Sequence, residues 1–277
     1  MRALGVVAAL VLLSASALST PREPVVGAST AACQARRRRP RAPRVTAAER
    51  RQITHRHARA TASELRQWLA QTPPPLVLRT NGVVDPFSIT PIDADARTFD
   101  ATALAVVERA LAYRDGTTHE IHPRLVSLVY GAVRHFRVPY VNVVSGYRSG
   151  NPTSRHGQGR AIDFVLPGIA DVRLAAWLRL QGFVGVGIYP TSGFVHLDVR
   201  ARSYYWRDVS GPRERNHERP ILRALASRHD REARARGAEP VPDLPRASSG
   251  DAESDVEVEI QLESDRDPTD APDGGVP

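Results

Sequence analysis

A chain of 277 residues, of which 42% are apolar, can build one or two domains around a well-filled core. Its single cysteine, Cys33, excludes a framework of internal disulfides. The formal charge is +8, but all 38 basic residues are arginine, so an arginine run says little here about nucleic-acid binding.

The N-terminus has the pattern of an export signal. Arg2 supplies a positive charge, an apolar stretch rich in Ala, Val and Leu follows over residues 4–18, and small residues come next. The stretch is shorter than the roughly 20 residues of a membrane-spanning helix. We therefore predict a signal peptide over residues 1–20 and a location in the periplasm or cell envelope. The alternatives are an uncleaved anchor and a buried helix.

Residues 21–75 are predicted to be an Arg- and Pro-rich linker. Arginines fill most of residues 36–44 and are interrupted by two prolines. Such a block either remains a solvated arm or binds acidic polymers. Behind an export signal we expect contacts with anionic envelope polymers and no nucleic acid. Residues 47–69 could form one polar helix, which the prolines at 73–75 would end.

Residues 76–210 have the patterns of a folded domain. Apolar residues at helical spacing predict helices near residues 99–111, 125–133 and 174–178. Val-rich and alternating segments predict strands near residues 140–146, 161–166, 185–189 and 194–200. Because several strands follow one another late in the domain, we predict an α+β fold with a mostly antiparallel sheet.

The tail over residues 211–277 is charged. Residues 212–237 are rich in Arg and Glu, and residues 240–277 are rich in Pro, Asp, Glu and Ser. The second stretch, residues 240–277, has almost no large apolar residues, so it cannot bury enough surface to offset the entropy of ordering it. We predict that this tail is largely disordered, so that the domain is flanked by disordered arms.

Strand periodicity brings several polar side chains to one face of the predicted sheet. Alternate residues of a strand point to the same side. If the apolar side chains of residues 161–166 and 194–200 build the core, then Asp163, His196 and Asp198 point into one groove. His156 precedes the first of these strands on a glycine-containing loop, which can fold over the same groove.

Two histidines and one carboxylate suit a catalytic zinc. His156, Asp163 and His196 would be three protein ligands, leaving the fourth position of one zinc per chain for water. The pKa of such a water can fall to about 7, so hydroxide is available at neutral pH.

Two further residues are candidates for catalysis. Asp198 is the nearest carboxylate that could take the proton of the water, and its alternative role is to orient His196. Arg148 offers a planar set of donors to a substrate carboxylate or a developing oxyanion. The alternative for Arg148 is a salt bridge to Asp163 or Asp198.

Three motifs occur in order: SGYRS at 145–149, SRHGQGRAID at 154–163, and GVGIYP at 185–190 followed by FVHLD at 194–198. Together they resemble the YcbK-like murein endopeptidases, which belong with the D-Ala-D-Ala zinc metallopeptidases and are related in fold to hedgehog domains and lysostaphin-type enzymes. The resemblance runs from about residue 76 to Trp206.

The resemblance implies an α+β fold with a small central antiparallel sheet and helices packed on it. It also implies zinc at His156, Asp163 and His196, and a substrate of cross-linked peptidoglycan stem peptides. Two departures concern the site. The superfamily often has an acidic or His residue shortly before the last ligand, whereas residues 191–193 are Thr, Ser and Gly. The segment between Arg148 and His156 is also short.

The sequence therefore predicts a monomeric zinc peptidase that cuts stem-peptide or cross-link bonds involving D-Ala or diaminopimelate. D,D and L,D bonds, and endopeptidase and carboxypeptidase cleavage, remain open. The main alternative is a non-catalytic cell-wall-binding module that keeps the peptidase fold. A third is a basic protein that binds polymers through its arginine arm.

Overall fold

The computed structural model describes residues 45–244. The predicted signal peptide, the arginine run and the acidic part of the tail from residue 245 lie outside the described residues. None of the helices within residues 45–244 is long and apolar enough to cross a bilayer.

Six helices and eight strands follow one another in this part of the chain. The helices are α1 (Ala47–His57), α2 (Ala62–Leu69), α3 (Ala101–Ala110), α4 (Pro123–Phe136), α5 (Asp171–Arg179) and α6 (Arg223–Ala235). The strands are β1 (Leu76–Thr80), β2 (Phe87–Ile89), β3 (Val141–Ser145), β4 (Ala161–Val165), β5 (Val184–Tyr189), β6 (Phe194–Val199), β7 (Tyr204–Arg207) and β8 (Arg219–Pro220).

The strands form one mixed sheet in the order β2-β1-β3-β4-β6-β5-β7-β8. The α+β class is confirmed, but the expectation of a small antiparallel sheet is not. Strands β1 and β3 are parallel, as are β5 and β7, while the other neighbours are antiparallel. The parallel pair β1–β3 arises because α3 and α4 lie between these strands in the chain and allow the crossover that parallel pairing requires.

The N-terminal part of the fold begins before the predicted boundary at residue 76. The single helix expected over residues 47–69 is two helices, because Thr46 with Glu49 and Thr61 with Glu64 each form a capping box. Helix α2 belongs to the core, since the Trp68 side chain is buried and its Nε1 donates to the Pro75 carbonyl at 2.8 Å.

The fold also continues past residue 210. Helix α6 buries Ala226 and Ala233, and its Asp230 accepts a hydrogen bond from the backbone N–H of Phe183 at 2.6 Å. The folded part of the chain is therefore longer than the predicted 76–210, and charge-rich residues of the tail take part in it.

The two faces of the sheet differ in character. Helices α3, α4 and α5 contact the strands and enclose the main apolar core, which contains Ile162, Phe164, Leu197 and Val199. On the other face lies a smaller cluster, here called the aromatic cluster, formed by Val165, Tyr189, Phe194 and Trp206. The alternation predicted for β4 and β6 is confirmed, and it leaves Asp163 and His196 on the face of the aromatic cluster.

Candidate metal centre

The centre is built on a row of residues that runs across the middle of the sheet. Asp163 of β4 lies directly opposite His196 of β6, so their side chains emerge side by side from one face. The same row continues through the strand pairings and comprises Ser145, Asp163, His196, Gly187 and Trp206.

His156 joins this row from the loop between β3 and β4. Its Nδ1 lies 2.6 Å from the carbonyl oxygen of Gly146. Because a carbonyl only accepts, Nδ1 carries the proton and Nε2 is left with its lone pair toward the cluster. The Nε2 atom is 3.2 Å from His196 Nδ1 and 3.4 Å from Asp163 Oδ2.

His156, Asp163 and His196 therefore offer three ligand atoms at one place. His196 Nδ1 is 2.8 Å from Asp163 Oδ1, all three side chains are buried, and their ligand atoms lie within 4.8 Å of one another. Around a tetrahedral zinc with Zn–N bonds near 2.0–2.1 Å, ligand atoms are about 3.3 Å apart. The donor set and its spacing fit zinc.

Electrostatics favour the metal-binding forms of His156 and Asp163, whereas the pKa of His196 shifts in the opposite direction. Burial, helped by the Arg148 guanidinium, lowers the pKa of His156 to about 4, which keeps its imidazole neutral. Burial alone would raise the pKa of Asp163, but His156, His196 and Arg148 hold it well below its usual range. Burial would lower the pKa of His196, but hydrogen bonds to Asp163 and Asp198 outweigh it and raise the pKa to about 9. Binding of a metal at His196 Nδ1 therefore competes with protonation of that nitrogen.

Asp198 lies behind His196 rather than in the cluster. Its Oδ2 is 3.1 Å from His196 Nε2, on the opposite side of the imidazole from Nδ1. Arg200 binds both carboxylate oxygens, with Nε at 2.6 Å from Oδ1. Asp198 is fully buried. Of the two roles left open by the sequence, this geometry favours orientation of His196.

Arg148 forms the alternative contact that the sequence allowed, a salt bridge to Asp163. Its Nη2 is 2.6 Å from Asp163 Oδ2, and its Nε donates to Ser145 Oγ at 3.1 Å. The side chain retains 20% of its exposure, whereas that of Asp163 retains 1%. Arg148 therefore lies at the outer edge of the cluster and keeps one oxygen of Asp163 in place.

Two glycines of β5 and a tryptophan complete the surroundings, and the sequence interpretation gave them no role. A Cβ on Gly187 would lie 2.4 Å from Cε2 of Trp206, whose ring centroid is 5.1 Å from that of His196. A Cβ on Gly185 would lie 2.0 Å from Asp198 Oδ2. The G-x-G pattern inside a strand was the available signal, because such glycines mark close approach of another group.

We predict that Gly187→Ala displaces the indole of Trp206 and lowers the free energy of unfolding by about 1–3 kcal/mol, as overpacking of a buried site does. Urea unfolding followed by fluorescence measures the change. Gly150→Ala is the matched control, because nothing lies within 4 Å of a Cβ built there. Equal stability of the two variants would contradict the close packing of Trp206 on β5.

The fold and the cluster define an α+β protein with a candidate metal centre on the aromatic face of its sheet. Comparison with known proteins gives the family. Residues 92–204 match the family model described as peptidoglycan L,D-endopeptidase MepK. The peptidoglycan L,D-endopeptidase MepK of Escherichia coli (strain K12) is 33% identical over 146 residues, which cover 46% of this chain and 79% of the relative.

A second relative is the probable peptidoglycan L,D-endopeptidase MepK of Haemophilus influenzae, which is 30% identical over 104 residues covering 31% of this chain and 56% of the relative. No solved structure matches significantly. The chain belongs to the MepK family of peptidases, which confirms the resemblance to YcbK-like murein endopeptidases. The matched residues include all five predicted site residues, whereas β8 and α6 lie beyond them.

Proposed function

We propose that this chain is a zinc-dependent peptidoglycan peptidase that hydrolyses an L,D bond within the wall peptides. The observation that carries the proposal is the convergence of His156 Nε2, Asp163 and His196 Nδ1 within 4.8 Å. Family membership supports peptidase chemistry, and the names of both relatives favour L,D-endopeptidase cleavage over the D,D and carboxypeptidase alternatives.

In this proposal His156, Asp163 and His196 hold the zinc. Bound there, zinc would supply a Lewis acid and a water with a pKa of about 7. Asp198 accepts from His196 Nε2 and fixes the tautomer in which Nδ1 is the ligand atom. Arg200 holds Asp198 ionised by binding both of its oxygens. Arg148 fixes Asp163 and places a positive charge at the edge of the site, where it stabilises a developing oxyanion.

The turn between β5 and β6 offers no general base. Within it the hydroxyl of Thr191 donates to the Val209 carbonyl at 2.7 Å, and that of Ser192 donates to the Ser210 carbonyl at 3.2 Å. This turn is where the superfamily often has an acidic or His residue. Its composition is the one observation that favours the second candidate function, a non-catalytic module that binds the wall and retains the metal.

The proposal also covers the location and the oligomeric state of the enzyme. Peptidoglycan lies outside the cytoplasm, so a wall peptidase must be exported, and residues 1–20 have the pattern of the required signal. We propose a monomer whose arginine-rich arm contacts anionic polymers of the envelope.

The test is to incubate the full-length protein with purified sacculi and identify the released fragments by mass spectrometry. We expect fragments from a cut at an L,D bond, no release after treatment with a chelator, and recovery when zinc is restored. His156→Ala should release nothing, whereas His217→Ala, which removes an exposed histidine outside the cluster, should cut normally. Release that persists in chelator would reject zinc dependence. One bound zinc per chain without any release would favour the binding module.

A further inference from the structure

The described chain ends in a short segment that reaches the loop carrying His156. This segment, residues 239–243, is here called the C-terminal clamp. It follows α6 and lies outside the residues that match the MepK family. The clamp therefore lies beyond the part of the chain that the family model covers.

Backbone contacts anchor the clamp on the folded part of the protein. The backbone N–H of Val241 donates to the Arg200 carbonyl at 3.3 Å, and the Val241 side chain is buried in the main apolar core. The carbonyl of Glu239 accepts from Arg124 Nη1, and Arg124 Nη2 also binds the Gly182 carbonyl at 2.8 Å. The clamp is thus fixed independently of the loop that it touches.

Two arginines connect the clamp to the turn that carries His156. Arg155 Nη2 is 2.6 Å from Asp243 Oδ1, and Arg160 Nη1 is 2.6 Å from the Pro242 carbonyl oxygen. The backbone N–H of Arg160 donates to the Arg155 carbonyl at 2.9 Å, which closes the turn between them. His156 therefore lies between two residues that are both held by the clamp.

Two backbone hydrogen bonds also hold the far end of the turn, from the N–H of His122 to the Gly159 carbonyl at 2.9 Å and from the N–H of Val199 to the Arg160 carbonyl at 3.1 Å. The clamp therefore matters most at the Arg155 end.

Residues 146–160 contain neither helix nor strand. Among the described residues, the His156 ring makes one hydrogen bond outside the cluster, from Nδ1 to the Gly146 carbonyl. A ligand on a loop needs such outside support, because residues on loops are positioned less accurately than residues on strands. Asp163 and His196 are positioned more accurately because they lie on the strands β4 and β6.

We propose that Arg155 and Asp243 are positioning residues for metal binding: the C-terminal clamp holds the turn of residues 154–160 so that His156 Nε2 stays beside Asp163 and His196. The inference rests on the metal site of the proposed function but not on the reaction. It assigns a role in the site to a segment outside the residues that match the family model.

Zinc affinity of the full-length chain, measured by competition with a chromophoric chelator, tests the proposal. Loss of a residue that directly orients a ligand typically weakens metal binding about 10–100-fold. The Arg155–Asp243 pair acts through one turn of backbone, so we expect Asp243→Ala to weaken zinc binding about three- to tenfold. Glu239→Ala is the matched control, because it removes a charge from the same segment while the carbonyl that binds Arg124 remains.

Two further variants separate positioning from general damage. Asp243→Asn keeps an acceptor oxygen at a side chain that is 57% exposed, so it should fold normally and show a smaller loss of affinity. Exchange of the pair, Arg155→Asp with Asp243→Arg, should return the affinity to within about twofold of the original. Hydrogen exchange should accelerate in Asp243→Ala at the backbone N–H groups of Gln158, Gly159 and Arg160, which are bonded within the turn.

Equal zinc affinity in Asp243→Ala and Glu239→Ala, with unchanged exchange at residues 158–160, would overturn the proposal. Zinc affinity and hydrogen exchange are both measured without the peptidase reaction, so they test the clamp separately from catalysis. If zinc affinity falls as expected but no form of the protein cuts sacculi, the clamp stands and the peptidase proposal fails. If sacculi are cut but the clamp variants bind zinc normally, the peptidase proposal is supported and the clamp proposal fails.

Discussion

Asp163→Ala should remove zinc from the purified protein and lower the cleavage of sacculi by more than about a hundredfold. Loss of residues that only orient a metal ligand costs about 10–100-fold, so loss of a ligand that also links both histidines should cost more. The same change leaves Arg148 and His196 without their shared buried partner. Breaking a buried ion pair costs about 3–5 kcal/mol, so the metal-free variant should also unfold at lower urea concentration.

Asp230→Ala is the control for Asp163→Ala. Asp230 is also a buried carboxylate. It accepts from the backbone N–H groups of Phe183 and Ser203, which are not part of the metal cluster. We expect this variant to lose stability while keeping one zinc per chain, as measured by elemental analysis after dialysis. An Asp163→Ala protein that kept its zinc and still cut sacculi would refute the assigned centre.

Asp198→Asn should weaken zinc binding about 10–100-fold while leaving most of the activity at saturating zinc. The reason is geometric. Asp198 touches His196 Nε2, on the far side of the ring from the ligand atom, and both of its oxygens are held by Arg200. Asparagine retains one oxygen for the contact to His196 but loses the charge. Chelator competition and rates at increasing zinc concentration measure the two effects separately.

The opposite pattern would identify Asp198 as the general base. In that case zinc affinity would stay unchanged and kcat would fall at every zinc concentration. Asp208→Asn provides the comparison, because Asp208 is equally buried but accepts from the backbone N–H groups of Ser210 and His217, outside the cluster. Its replacement should leave zinc affinity unchanged.

The sequence predicted the faces of the central strands because the polar residues of β4 and β6 are flanked by large apolar residues of the opposite parity. Once Ile162 and Leu197 are assigned to the core, Asp163 and His196 must share the other face. Periodicity could not show how Asp198 is used. Periodicity indicates the sheet face on which a side chain lies but not the hydrogen bonds of that side chain. The hydrogen bonds of Asp198 depend on Arg200 and on the orientation of the His196 ring.

Other features depend on contacts between distant parts of the chain. The parallel pairing of β1 with β3 is set by the path of α3 and α4, which local patterns do not describe. Helix α6 lies in the Arg- and Glu-rich residues 212–237, which belong to the tail that the sequence predicts to be largely disordered. Its buried face consists of Ala226, Ala233 and two polar residues, so its docking leaves almost no hydrophobic signal in the sequence.

The most direct test of the proposed centre is X-ray absorption at the zinc edge on the purified full-length protein, together with zinc analysis. We expect one zinc per chain, with a shell of nitrogen and oxygen atoms at about 2.0–2.2 Å that contains two imidazoles and no sulfur. In His156→Ala the imidazole contribution should fall or the zinc should be lost. A protein that binds no zinc, or one whose zinc shell is unchanged when His156 and His196 are replaced, would contradict the centre on which the peptidase proposal depends.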